Sequence, residues 1–148
     1  MTMLSRRELS SAQLRDRLQR KDFAPDDIET ALRRLQDIGA LDDLRTASAL
    51  AHTAAHIKMR GRFRALRDLQ ERGIDRALSV RVVDEVYGDL DQHLLLERAL
   101  ARRLKGRIET RGELRRLYQY LIRQGFEAAA ARSVLMTRAA PAATGGDD

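Results

Sequence analysis

The chain has 148 residues, 34% of them charged, and a formal net charge of +6. That length can bury a core without staples and accommodates one domain or a short array of small repeats. The absence of cysteine excludes disulfides, Cys-ligated zinc, iron–sulfur clusters and thiol nucleophiles. No apolar run reaches the length of a membrane span, and Met1 to Arg7 contains no signal-peptide core, so a soluble, cytoplasmic protein is expected.

Apolar residues recur at spacings of three and four along the whole chain, and β-branched residues are sparse outside Val80 to Val83, which predicts helices and no sheet. Ser10 with Gln13 forms a capping box ahead of Leu14 and Leu18, on a helix running to about Arg20. Pro25 suits a first helical position, and Asp26 and Asp27 place negative charge at the positive end of the next helix's dipole. Ile28, Ala31, Leu32 and Leu35 form its stripe, and Gly39 ends it. Asp42 and Asp43 open a longer helix with Ala47, Leu50, Ala51, Ala54 and Ile57 inward. Phe63, Leu66 and Leu69 then lead to Gly73, and Leu78, Val82, Val83 and Val86 to Gly88. A second long helix opens at Asp89 and Asp91, with Leu96, Leu100 and Leu104 inward. Leu114, Leu117, Tyr118 and Leu121 lead to Gly125, and a last helix carries Ala130, Val134 and Leu135. About eight helices are expected, followed by an Ala/Pro/Gly/Asp tail from Ala139 with nothing to bury.

These elements repeat. Leu18–Phe23, Leu69–Ile74 and Leu121–Phe126 share the form Leu-x-x-x-(Gly/Asp)-apolar, with the closing residues at 23, 74 and 126. A fixed period of this length marks tandem helical units stacked on a continuous core. The division expected is residues 1–41 as a first unit lacking most of its first helix, 42–88 as the second, 89–138 as the third, and 139–148 as a disordered tail.

In this order the residues resemble the RecX family of bacterial recombinase regulators. The likeness rests on Arg7-Glu8-Leu9-Ser10 with Leu14, Leu18 and Phe23, then Leu41-Asp42-Asp43, then Leu69 with Arg72-Gly73-Ile74, then Gly125-Phe126. Two features depart from the family's pattern: Thr46 stands where an aromatic residue is usual, and the helix before Arg7 is nearly absent. The resemblance implies a non-enzymatic modulator that binds the RecA recombinase along its filament on DNA and lowers its strand-exchange, ATPase and coprotease activities in DNA repair and the SOS response. It implies no cofactor and no small-molecule substrate.

The residues offer little for catalysis. No phosphate-binding Gly-rich loop, His-Glu-x-x-His or Gly-x-Ser-x-Gly is present. The carboxylate pairs at Asp26-Asp27 and Asp42-Asp43 sit where helix caps belong. His52 and His56 share a helical face, but no third metal ligand is evident. With 4% aromatics and no tryptophan, a base-stacking platform is not supported.

Charge is the remaining signal. Arginine supplies 25 of the 28 cations, which suits a nucleic-acid or nucleoprotein partner and equally a coding bias, since asparagine is absent and alanine abundant. Three rows at helical spacing are the candidate contacts: Arg60, Arg64 and Arg67; Arg98, Arg102 and Lys105; and Arg116, Tyr120 and Arg123. Solvated helix faces neutralised by nearby acids are the plain alternative for each. The alternative function is a basic helical nucleic-acid-binding protein acting without RecA.

Overall fold

The computed structural model describes residues 9–145. Nine helices follow in order among them: α1 Ser11–Arg20, α2 Pro25–Asp37, α3 Asp43–His56, α4 Arg62–Glu71, α5 Arg76–Gly88, α6 Gln92–Ala101, α7 Arg111–Arg123, α8 Ala128–Arg138 and α9 Pro141–Thr144. Side-chain caps start five of them, those at Ser10, Asp42 and Asp91 as predicted. Ser10 accepts from Gln13 N–H while the Gln13 side chain accepts from Ser10 N–H, and Asp42, Asp75, Asp91 and Thr110 each accept from the backbone N–H three residues on. Each bond satisfies a donor that has no partner inside its helix.

Helices that pack extensively do so within groups: α1 with α2; α3, α4 and α5 with one another; α6, α7 and α8 with one another. The chain is therefore an all-α array of three-helix units, the first of which shows two helices among the described residues. The second and third units share one core, in which Leu69, Val82, Val83, Leu96, Leu100 and Leu121 are sealed from solvent. The first unit has a small core of its own around Ile28, Leu32 and Leu41, lined by partly buried Leu14, Leu18 and Leu35.

The recurrent turns join the units. Ser10 Oγ donates to the Arg72 carbonyl at 2.6 Å, and Ser11 donates to the Asp43 carboxylate through both N–H and O–H. A Cβ on Gly73 would stand 2.8 Å from Ala12 Cβ. The next seam repeats the arrangement: Gly61 N–H donates to the Gln124 carbonyl at 2.7 Å, Phe63 N–H to Gly125 at 3.2 Å, and a Cβ on Gly125 would lie 2.3 Å from Arg64 N. The glycines ending the second helix of each unit are thus seats for the preceding unit as well as turns. In the first unit the same turn carries Asp22, at φ 65°, and the following Phe23 is 52% exposed, against 2% for Ile74 and 6% for Phe126.

Several expectations are corrected. The stretch after Ala139 is not a tail with nothing to bury as far as Gly145: Ile108 and Ala139 form an isolated parallel bridge, α9 packs on α7, and Ala143 is sealed. Residues 146–148, and the predicted features before Leu9, lie outside the described residues. The helix expected to be long after Asp91 ends at Ala101, and Leu104 is buried from the following loop. Ile57 faces solvent because it lies past the end of α3, and Phe63 because α4 turns Ala65 and Leu69 inward. On α8 Ala131, rather than Ala130, enters the core.

One buried phenol is expected to make the fold alkali-sensitive. Tyr87 O–H donates to the Arg60 carbonyl at 2.8 Å, and burial, reinforced by the Asp68 carboxylate, raises its pKa well above the usual range. Below about pH 10 the phenol is protonated folded and unfolded alike, so it adds no pH dependence. Above that pH the unfolded chain loses the proton and the folded chain keeps it, so stability falls by up to about 1.4 kcal/mol per pH unit. Urea melts from pH 8 to 11 should show this decline, and Tyr87→Phe should flatten it while lowering stability at pH 8.

Candidate partner-binding surface

The arginines divide into those that hold the fold and those directed outward. Arg60 lies in the loop before α4, because Gly61, not Arg60, begins that helix against Gly125. Its Nη1 meets Asp68 Oδ2 at 2.5 Å, and Arg64 Nε meets Asp68 Oδ1 at 3.1 Å, so one half-buried carboxylate neutralises two members of the first predicted row. Arg64 also donates to the Arg123 carbonyl across the seam. Only Arg67 of this row is exposed, facing Glu71 at 4.0 Å.

The second row stays outward. Arg98 is on α6, Arg102 caps its C-terminus and donates to the Ile57 carbonyl at 2.5 Å, and Lys105 follows in the loop. The third row breaks at its centre. Tyr120 is 6% exposed, its O–H donates to the Ala99 carbonyl at 3.3 Å, and the Arg103 guanidinium covers its ring at 4.2 Å. The apolar face of α7 runs through Leu117, Tyr120 and Leu121, so Arg116 and Arg123 border the core face from outside while Tyr120 belongs to it.

The rows therefore merge into something not sought at helical spacing. Between Arg98 and Arg116 the chain holds eight cations and two carboxylates, a net +6 equal to that of the whole chain. A running charge sum would have found this segment; a search for helical rows passes over it, because half of it is the loop between α6 and α7. Arg98, Arg102, Arg103, Lys105, Arg107, Arg115 and Arg116 make no ion pair with a carboxylate among the described residues. Several instead address neutral acceptors: Arg102 and Arg107 donate to the carbonyls of Ile57 and Ala139, and Arg103 lies over the Tyr120 ring. A carbonyl or a ring fixes a guanidinium without cancelling its charge, so the surface keeps its positive field. The one nearby carboxylate on α7, Glu113, accepts from Glu109 N–H and completes the helix cap.

Beside this segment, α7, α8 and α9 enclose an open groove of about 530 Å³. Leu114, Leu135 and Met136 line it with aliphatic surface, and Arg111, Arg115 and Arg132 stand around it. Elsewhere, the His52 and His56 rings stack at 5.7 Å, and no group of three or more His, Asp or Glu able to hold a metal occurs among the described residues. Asp42 caps α3 and Asp43 binds Ser11, so both carboxylates have structural partners. No helix among the described residues is long and apolar enough to cross a membrane.

Fold and surface together define a tandem three-helix repeat protein with its positive charge concentrated on the last unit. A family model for RecX, first three-helix domain, matches residues 1–35. The regulatory protein RecX of Syntrophotalea carbinolica is 31% identical over 87% of this chain and 86% of its own length. That of Trichlorobacter lovleyi is 33% identical over 85% and 84%, and that of Thermotoga maritima 30% over 83% and 71%. The chain belongs to the RecX family. The crystal structure of RecX from Lactobacillus salivarius superposes with a TM-score of 0.72 over 90% of this chain and 88% of that one; at 18% identity this establishes the shared fold.

Proposed function

We propose that this protein is a non-enzymatic cytoplasmic regulator that binds the RecA recombinase filament on DNA and lowers its recombinase, ATPase and coprotease activities. The observation that carries the reading is the +6 segment from Arg98 to Arg116, held outward on the third unit of a RecX-family fold. A filament coated with phosphate and acidic side chains would attract such a surface over many weak contacts. Arg98, Arg102, Lys105, Arg116 and Arg123 are the proposed contacts, with Arg67 at the margin; Arg60, Arg64 and Tyr120 support the surface from the fold.

RecA ATPase measured on single-stranded DNA tests this. Wild-type protein should inhibit, and Arg98→Glu/Arg102→Glu/Lys105→Glu should lose inhibition more than tenfold while melting within a few degrees of wild type, since exposed substitutions cost about 0.5 kcal/mol or less each. Full potency in that folded variant places the contact elsewhere. A second reading, a nucleic-acid-binding protein acting without RecA, draws on the same charge. A gel shift without recombinase separates them: preference for one duplex sequence, with a salt slope falling by about one per phosphate contact removed, would favour it.

A further inference from the structure

The groove between α7, α8 and α9 combines two properties that the filament reading does not use together. Its floor is aliphatic, and Met136, at 50% exposure, is a large unbranched side chain left open to water beside Leu114 and Leu135. Its rim is cationic and holds no carboxylate among the described residues. An exposed apolar patch framed by one sign of charge marks a binding site, and methionine adapts to varied apolar partners. The ligand must therefore be an anion with an apolar body.

Two classes of polymer answer that description, and Tyr118 decides between them. A nucleic acid would need an open aromatic face on which to stack a base. Tyr118 is the ring in this groove, and Arg132 already lies over it, 5.6 Å from the centroid, with Nη2 donating to the phenol oxygen at 3.4 Å. What remains open is aliphatic surface next to Arg115 and Arg132, suited to a bulky peptide side chain flanked by carboxylates. Arginine's planar fork pairs with carboxylates in two-point fashion.

We infer that this groove is a docking site for an acidic peptide segment of a partner protein, one that seats a bulky apolar side chain on Leu114 and Met136, over the buried Leu135, and places its carboxylates on Arg115 and Arg132. The inference stands apart from the filament reading, because it concerns the third unit alone and is tested without recombinase.

The probe is a fluorescein-labelled synthetic peptide with one phenylalanine between pairs of glutamate and aspartate, followed by fluorescence anisotropy with the full chain. Saturable binding is expected, weakened at least tenfold by Met136→Glu and by Arg132→Glu, and no more than twofold by Arg34→Glu, a charge-matched change at an exposed site on α2. Replacing the peptide's phenylalanine by alanine should also weaken binding at least tenfold. Circular dichroism checks each variant's fold, and either groove variant suffices if the other is disrupted. The proposal is overturned if Arg34→Glu weakens binding as much as the groove variants do, if the alanine peptide binds as tightly, or if the peptide does not bind. It is equally overturned if an oligo-dT strand binds more tightly than the peptide and depends on the same two residues, which would make the groove a nucleic-acid site.

Discussion

Gly125→Ala is expected to remove roughly 3–5 kcal/mol of stability, from a left-handed backbone that an L side chain disfavours and from broken hydrogen bonds at the seam. The residue has φ 97°, and its Cβ would stand 2.3 Å from the backbone nitrogen of Arg64 and 2.5 Å from Arg64 Cβ. Backbone cannot swing aside as a flexible side chain can, so α4 must back away from the turn. The bonds from Gly61 N–H to Gln124 and from Phe63 N–H to Gly125 then lengthen together. Gly39→Ala isolates the two contributions: its φ is 79°, and nothing lies within 4 Å of the added carbon. That variant should lose only the conformational share, about 1–2 kcal/mol. Urea denaturation of both proteins measures the difference, and equal losses would mean that the close approach at Gly125 contributes nothing.

That glycine shows how far the sequence could be read. The recurrence at 22, 73 and 125 marks a turn that each unit repeats, and the turn is there. The second reason for glycine, the seating of the preceding unit's helix, is invisible in sequence because it depends on a partner about sixty residues away. Local signals fared best: Ser10, Asp42, Asp91 and Pro25 each start a helix through bonds or dihedrals confined to a few residues. Signals that need the direction of a stripe fared worse. Tyr120 was placed on a charged row, yet lies three residues from Leu117 on the face α7 turns inward. The helix α9 has four residues and no periodicity; the bridge at Ala139 and the Arg111–Gly145 bond anchor the segment around it. The positive surface was sought as rows on helices, but half of it is loop, where charge density rather than spacing is the signal.

The two cores lead to the second large effect. Leu69 is sealed in the core that the second and third units share, and Leu32 in the small core of the first. A carboxylate at either place has no partner and costs several kcal/mol, a large part of the roughly 5–15 kcal/mol that holds a domain together. Leu69→Asp should therefore unfold both later units at once, since neither keeps a core without the other. It should also release α1, whose start rests on the Arg72–Gly73 turn. Leu32→Asp should act differently, because no core residue of the first unit belongs to the larger cluster. Its expected result is local unfolding of residues 9–41, with α3 to α9 intact. Since α1 and α2 hold 23 of the 98 helical residues, circular dichroism should fall by about a quarter for Leu32→Asp and nearly to baseline for Leu69→Asp. Hydrogen exchange should show protection lost through α2 but kept through α7 in the first variant. That protein also carries the basic segment and the groove of the third unit undisturbed, so the proposed peptide binding and most of the proposed inhibition of RecA should survive in it. Equal loss of helix in the two variants would mean that the chain folds as one cooperative body and that the first unit supports the working surface from a distance.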